Sequence, residues 1–213
     1  MTEKIVFVDI DTQYDFMNHQ GNLYVSDAEE ITDNLRKLFE YAKKHGIRIL
    51  SSIDAHTSED KEFQTFPTHC VKNTGGYLKI DVTRCKDSIV IENNRRDIPG
   101  FVLEKQQIII EKQSFDIFDN INTDTIVSKL KSACYVVFGV ATEYCVKVAA
   151  LGLKERRHTV FIVSDAIKAI TPEGEKVALK QMKDAGIIFL TTDDVIKERR
   201  PELMRTQVPD IKI

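Results

Sequence analysis

The sequence predicts a three-layer α/β/α fold built on a mainly parallel sheet of about six strands, and three observations carry that prediction. Short apolar runs alternate with longer amphipathic stretches, which is the rhythm of βαβ units. Runs such as YVVFGV and TVFIV are rich in Val and Ile on both faces, as strands covered by helices on each side require. Helix start and stop residues stand between the runs. A chain of 213 residues, set against roughly 100–200 residues per domain, is expected to form a single domain over 1–213.

The elements follow in order. IVFVDI is the first strand, and a helix is expected from about Ser26 to His45. Ser26 followed by Glu29 has capping-box spacing, and Gly46 after Lys43, Lys44 and His45 is a stop signal. IRILSSI is the second strand. Between Asp54 and about Phe101 only SIVIE reads as a strand, and loops this long in compact domains commonly carry function. QQIIIE comes next, then a helix near Asn122 to Lys131, the strand CYVVFGV, a helix from about Thr142 to Arg157, the strand TVFIV, a helix from about Pro172 to Ala185, and the strand IIFL. The charged tail after Leu190 is expected to drape over the surface.

Composition narrows the function classes. Hydrophobic residues at 42% and charged residues at 30% are those of a globular chain, far from a disordered one. A net charge of -3 with interspersed signs offers no basic face, so neither nucleic acid nor membrane is expected as a partner. The opening MTEKIVFVDID lacks the features of a secretory signal, and no apolar run approaches the roughly 20 residues that cross a bilayer. The expected address is the cytoplasm. Cys70, Cys85, Cys134 and Cys145 form no CxxC pair and read as free thiols.

In open parallel sheets ligands bind beyond the carboxyl ends of the strands. Three ionisable residues stand there: Asp11 after IVFVDI, Lys112 after QIIIE, and Cys145 in GVATEYC after YVVFGV. A thiol of ordinary pKa about 8.5 must lose its proton before it attacks a carbonyl. Asp11 can take that proton, Lys112 can stabilise the thiolate and keep Asp11 ionised, and the first turn of a helix beginning near Thr142 adds its dipole at Cys145. Taken singly, each residue is more often a cap, a solvated strand end or an inert buried thiol. Their shared placement is what points to covalent catalysis.

A second cluster lies in the long loop. Asp54, His56, Glu62 and His69 gather two imidazoles and two carboxylates after the second strand, a donor set suited to a divalent metal ion such as Zn²⁺, Mn²⁺ or Fe²⁺. Glu59 or Asp60 could take the place of Glu62, because periodicity does not fix the loop. Asp9 is an acid where an apolar residue is normal.

The segments Asp11-Thr12-Gln13-Tyr14-Asp15-Phe16 and Gly139-Val140-Ala141-Thr142-Glu143-Tyr144-Cys145-Val146 resemble the opening and nucleophile motifs of the isochorismatase-like cysteine hydrolases, closest to their nicotinamidase/pyrazinamidase branch, over about residues 3 to 190. The resemblance implies a Cys-Asp-Lys triad falling on Cys145, Asp11 and Lys112, and a cis peptide between Val140 and Ala141. It also implies an oxyanion hole from the N–H groups of Ala141 and Cys145, and a metal held by Asp54, His56, Glu62 and His69 that meets the pyridine nitrogen of nicotinamide. Phe16, Phe66 and Val140 match substrate-binding positions. The small-molecule amide substrate, a role in NAD salvage and assembly into a homo-oligomer are further implications.

Three other readings compete. V-D-I-D-T also resembles the D-x-D-x-T motif of haloacid-dehalogenase-type phosphatases, with Asp9 as nucleophile and Asp11 as acid, although no later G-D-x-x-x-D motif follows. A relative within the same family acting on another small amide, a ureido compound or isochorismate is a second. A non-enzymatic binding module, with an unreactive Cys145, is the third.

Overall fold

The computed structural model describes residues 5–197. Seven strands form one sheet in the order β3-β4-β2-β1-β5-β6-β7, and every neighbouring pair is parallel. They are β1 (Ile5–Ile10), β2 (Arg48–Asp54), β3 (Ser88–Ile91), β4 (Gln107–Lys112), β5 (Cys134–Val140), β6 (Thr159–Lys168) and β7 (Ile188–Leu190). The expected count of about six becomes seven because SIVI pairs in full with β4 as the edge strand β3.

Alternation of side chains sorts the core into two layers. Val6, Val8 and Ile10 of β1 join Tyr135 and Val137 of β5 on one face, while Phe7 joins Val136 and Phe138 on the other. The first layer is covered by α3 (Gly100–Glu104), α4 (Thr123–Leu130), α5 (Lys147–Glu155) and α6 (Pro172–Asp184), through residues such as Val102, Ile126, Ala149 and Met182. The second is covered by α1 (Tyr14–Met17), α2 (Thr32–His45) and α7 (Thr192–Ile196), through Phe16, Leu35, Leu38 and Val195. Helices on both faces explain why the strands read as continuous apolar runs.

Three expectations need correction. The helix placed from Ser26 begins as a 3-10 turn, Ala28–Ile31, and becomes α2 only at Thr32. No capping box forms, because Asp27 adopts a left-handed conformation (φ 59) and the Glu29 carboxylate accepts the Tyr24 hydroxyl at 2.5 Å instead. The helix placed from Thr142 starts as a wide π-type turn, Thr142–Val146, in which Tyr144 is non-helical; the regular helix begins at Lys147. After Leu190 the chain forms α7, opened by a capping box between Thr191 and Asp194; the rest of the expected surface tail lies outside the described residues. The stop at Gly46 is as expected, with φ 63 and its N–H donated to Ala42.

β1 lies between β2 and β5, so the chain winds outward in opposite directions from its two sides. That is the topological switch point at which open α/β sheets hold their ligands. The strand ends are brought together closely: Gly139 pairs with Ile10 at φ 119, and a Cβ there would stand 2.1 Å from the Ile10 carbonyl oxygen. Only glycine fits at this position.

Candidate active site

Lys112 ends β4 with its side chain buried, and its ammonium gathers the ends of three other strands. Nζ lies 2.8 Å from Asp11 Oδ2, 3.6 Å from Cys145 Sγ and 2.9 Å from the Ser114 carbonyl, and it donates to Asp54 Oδ1. The three residues expected to converge therefore do, and a fourth, Asp54, joins them. In the register of the sheet Asp54 faces Lys112 directly across β2 and β4. Asp11 follows β1 with φ 47, its Oδ1 accepting the Ser52 hydroxyl at 2.6 Å. Its Oδ2 forms the ion pair with Lys112, and the carboxylate also faces the Cys145 thiol. The Val140–Ala141 peptide is cis, and the Ala141 carbonyl accepts the N–H groups of Tyr144 and Val146, folding the turn that carries Cys145.

Burial and neighbouring charge set the proton affinities. Burial, with the nearby Asp11 and Asp54 carboxylates, pushes the Cys145 thiol well up, against the pull of Lys112. Burial and Asp54 raise Asp11 as well, outweighing Lys112. Asp54 goes the other way: burial opposes its charge, but Lys112, His56 and His69 hold it well below the usual carboxylate range. Both shifts favour the protonated forms of Cys145 and Asp11.

On the far side of Asp54, Oδ2 faces His56 Nε2 at 3.8 Å and His69 Nε2 at 3.7 Å, and Glu62 Oε2 lies 3.8 Å from His56 Nε2. Each imidazole is oriented from behind. His56 Nδ1 meets Asp60 at 3.0 Å, and His69 Nδ1 meets the Pro67 carbonyl at 2.7 Å. Both Nε2 atoms therefore point inward. Asp60 also caps the Glu62 N–H at 3.0 Å, so it supports the cluster from outside while Glu62 faces inward.

A cleft opens over both groups. Asp11, Asp54, Glu62, His69 and Cys145 line it together with Ala141, and the apolar walls include Phe16, Phe66 and Val140, the three residues expected to contact substrate. His56 sits beneath, fully buried.

Residues 5–194 match the family model of the isochorismatase domain. The chain belongs to the isochorismatase family. Among its relatives, the nicotinamidase of Saccharomyces cerevisiae is 26% identical over 198 residues, covering 79% of this chain and 89% of the yeast protein. A solved pyrazinamidase of Pyrococcus horikoshii, in complex with zinc, is 27% identical with a TM-score of 0.73, covering 88% of this chain and 99% of its own. A protein of Arabidopsis thaliana named "probable inactive nicotinamidase" is 22% identical and covers 84% of this chain and 87% of its own. Family membership alone therefore does not carry an activity; the side chains must.

The isochorismatase-family chain holds donors that fit a divalent ion. His56 Nε2 is buried without a hydrogen-bond partner, and its 3.8 Å separation from Asp54 is too long for one. Such spacing is close to the edge of about 3.4 Å in a tetrahedron of bonds near 2.1 Å. Asp11 and Asp54 also bring two buried carboxylates to the single ammonium of Lys112, and an uncompensated buried charge is costly. A cation held by Asp54, His56 and His69, whose donor atoms lie within 4.8 Å of one another, would balance it.

Asp9 belongs to neither group. Fully buried on the α2 face, it pairs with Lys79 at 2.7 Å and accepts the hydroxyls of Thr12 and Ser51, each at 2.8 Å. It does not line the cleft, so the phosphatase reading, which needs Asp9 as an exposed nucleophile, is corrected here. Sequence reasoning did not find Ser52, which positions Asp11, or Gln13, whose side chain holds the Asp54 backbone N–H at 2.7 Å and carbonyl at 2.9 Å. Nor did it find the rim of Phe115, Tyr144 and Ile170. Position just after strand ends was the available signal for Phe115 and Ile170, and adjacency to Cys145 for Tyr144.

Proposed function

We propose that this protein is a cysteine-nucleophile amidase that converts nicotinamide to nicotinate and ammonia through a thioester on Cys145. One observation carries the reading: a single buried ammonium, Lys112 Nζ, touches Asp11, Asp54 and Cys145 at the floor of an apolar cleft.

The steps follow from these positions. The Cys145 thiol gives its proton to Asp11 as sulfur bonds to the carboxamide carbon, and the carbonyl electrons move onto oxygen. The N–H groups of Ala141 and Cys145 receive that oxyanion, a contribution that is commonly large in acyl transfer. The carbon–nitrogen bond then breaks, and nitrogen leaves as ammonia with the proton from Asp11. Water attacks the thioester, gives its proton to Asp11, and releases the acid as the thiol is restored. Lys112 stays charged throughout, because burial opposes its charge but Asp11 and Asp54 hold its pKa well above the ordinary ammonium range.

Phe16, Phe66 and Val140 offer apolar faces to a flat ring. Asp54, His56, Glu62 and His69 would hold a divalent ion, Zn²⁺, Mn²⁺ or Fe²⁺, which when bound supplies a Lewis-acid position for the pyridine nitrogen.

The test is ammonia release from a panel of nicotinamide, pyrazinamide, aliphatic amides and ureido compounds, with isochorismate followed separately, each with and without a chelator. Chelator-sensitive release from nicotinamide is expected. Turnover of a ureido compound or isochorismate alone would move the protein to another branch of the family, and no turnover of any of them sinks the reading.

A further inference from the structure

Glu143 lies two residues before Cys145, in the π-type turn, and its carboxylate reaches out of that turn to a different loop. It accepts the Ile170 N–H at 3.0 Å on each oxygen, the Thr171 N–H at 2.9 Å and the Thr171 hydroxyl at 3.4 Å. The same hydroxyl accepts the Gly174 N–H at 3.0 Å and caps α6. Space confirms a built contact: a Cβ on Gly174 would stand 2.8 Å from Glu143 Oε1 and 2.7 Å from Thr171 Oγ1. Its partners here are backbone N–H groups and one hydroxyl, and hydrogen bonds to an ionised acceptor are stronger than neutral ones.

The loop so held carries Ile170, whose side chain lines the cleft although it is 44% exposed. Before it, Ile167 and Lys168 run beside Gly139 and Val140, and Lys168 pairs with Glu30 at 2.7 Å. Ile170 contributes no hydrogen bond of its own side chain to fix its place; Glu143 holds its backbone.

We propose that Glu143 is a positioning residue that latches the 169–171 loop to the nucleophile turn, so that Ile170 forms a specificity-determining wall admitting a single flat ring and excluding bulkier acyl groups. The proposal rests on the amidase reading for its substrate, but the latch itself does not. Because the carboxylate acts on the wall, its loss should weaken ground-state binding and leave the chemistry at Cys145 intact.

The experiment compares Glu143→Ala, Glu143→Gln, Ile170→Ala and the double variant Glu143→Ala/Ile170→Ala. Loss of charge-assisted hydrogen bonds should raise KM for nicotinamide about tenfold in Glu143→Ala with kcat within about twofold. Glu143→Gln, which keeps an acceptor oxygen, should fall between. In the Ile170→Ala background, removing Glu143 should change KM by less than about twofold, since the two act through one wall. Amide hydrogen exchange at Ile170 and Thr171 should quicken at least about tenfold in Glu143→Ala. A fall in kcat at unchanged KM, additive effects in the double variant, or unchanged exchange at those two amides overturns the proposal. If the unaltered enzyme releases no ammonia from any amide, the amidase reading falls, and the exchange rates decide the latch alone. Should Glu143→Ala fail to fold, the same three readouts on Glu143→Gln decide it.

Discussion

Asp54 and Lys112 form a buried ion pair across β2 and β4 in which each partner also belongs to a second group. Lys112 turns its ammonium to Asp11 and Cys145, while Asp54 turns its other oxygen to His56 and His69. Removing Lys112 leaves two carboxylates buried without their cation. Lys112→Met should cost about 3–5 kcal/mol of stability and abolish turnover together. A thermal transition unchanged from that of the unaltered protein sinks this account of the pair.

Cys145→Ala removes only the nucleophile. Turnover should fall by at least about 10³-fold, while nicotinamide binding and thermal stability stay near their original values. Quench-flow with acid precipitation should trap an acyl adduct on the unaltered enzyme and none on the variant. Retained activity eliminates the sulfur from the mechanism.

The acid limb of kcat/KM should report Asp11. Burial and Asp54 raise its pKa above 3.8, outweighing Lys112. The ionised form is the base, so activity falls as pH drops through the raised value, at higher pH than an ordinary aspartate would give. A profile that stays flat down to the ordinary aspartate range contradicts the assignment.

Metal uptake should depend on pH through His56. Burial opposes its charge, but the neighbouring carboxylates of Asp54, Asp60 and Glu62 outweigh this and raise it to about 9. Below that value an incoming ion must displace a proton, so affinity should strengthen about tenfold per pH unit on the way up and level off beyond it. Calorimetry in buffers of different ionisation enthalpy counts the proton. Glu62→Gln should weaken binding more than Glu59→Gln, and the reverse order removes Glu62 from the donor set.

Asp9 and Asp11 give opposite signatures. Asp11→Asn should abolish turnover, whereas Asp9→Asn should leave most of it and lower stability by weakening the buried pair with Lys79. Chemical denaturation alongside ammonia release separates the two. If Asp9→Asn proves the more damaging to activity, Asp9 has a part in the chemistry.

The parts legible in the sequence were those written in short-range pattern. Asp11, Lys112 and Cys145 each follow an apolar run, so a parallel sheet alone brings them to one edge. His56, Glu62 and His69 were legible as donor types, but only the loop's path shows that Asp60 braces His56 from behind while Glu62 faces the interior. Ser26 misled because a capping box depends on backbone angles that the left-handed Asp27 does not supply. Glu143 and Ile170 lay 27 residues apart with no shared periodicity, and their contact comes from the return of β6 beside β5.

The position of β1 between β2 and β5 also bears on how the molecule comes to work. The imidazoles and the ammonium lie before the left-handed turn at Lys131, and the sulfur lies after it. During synthesis the first portion emerges with the proposed metal donors but without the proposed nucleophile. On the amidase reading the site is complete only once β5 lies beside β1, and two separately expressed pieces divided at Lys131 are expected to release ammonia when mixed and not when alone.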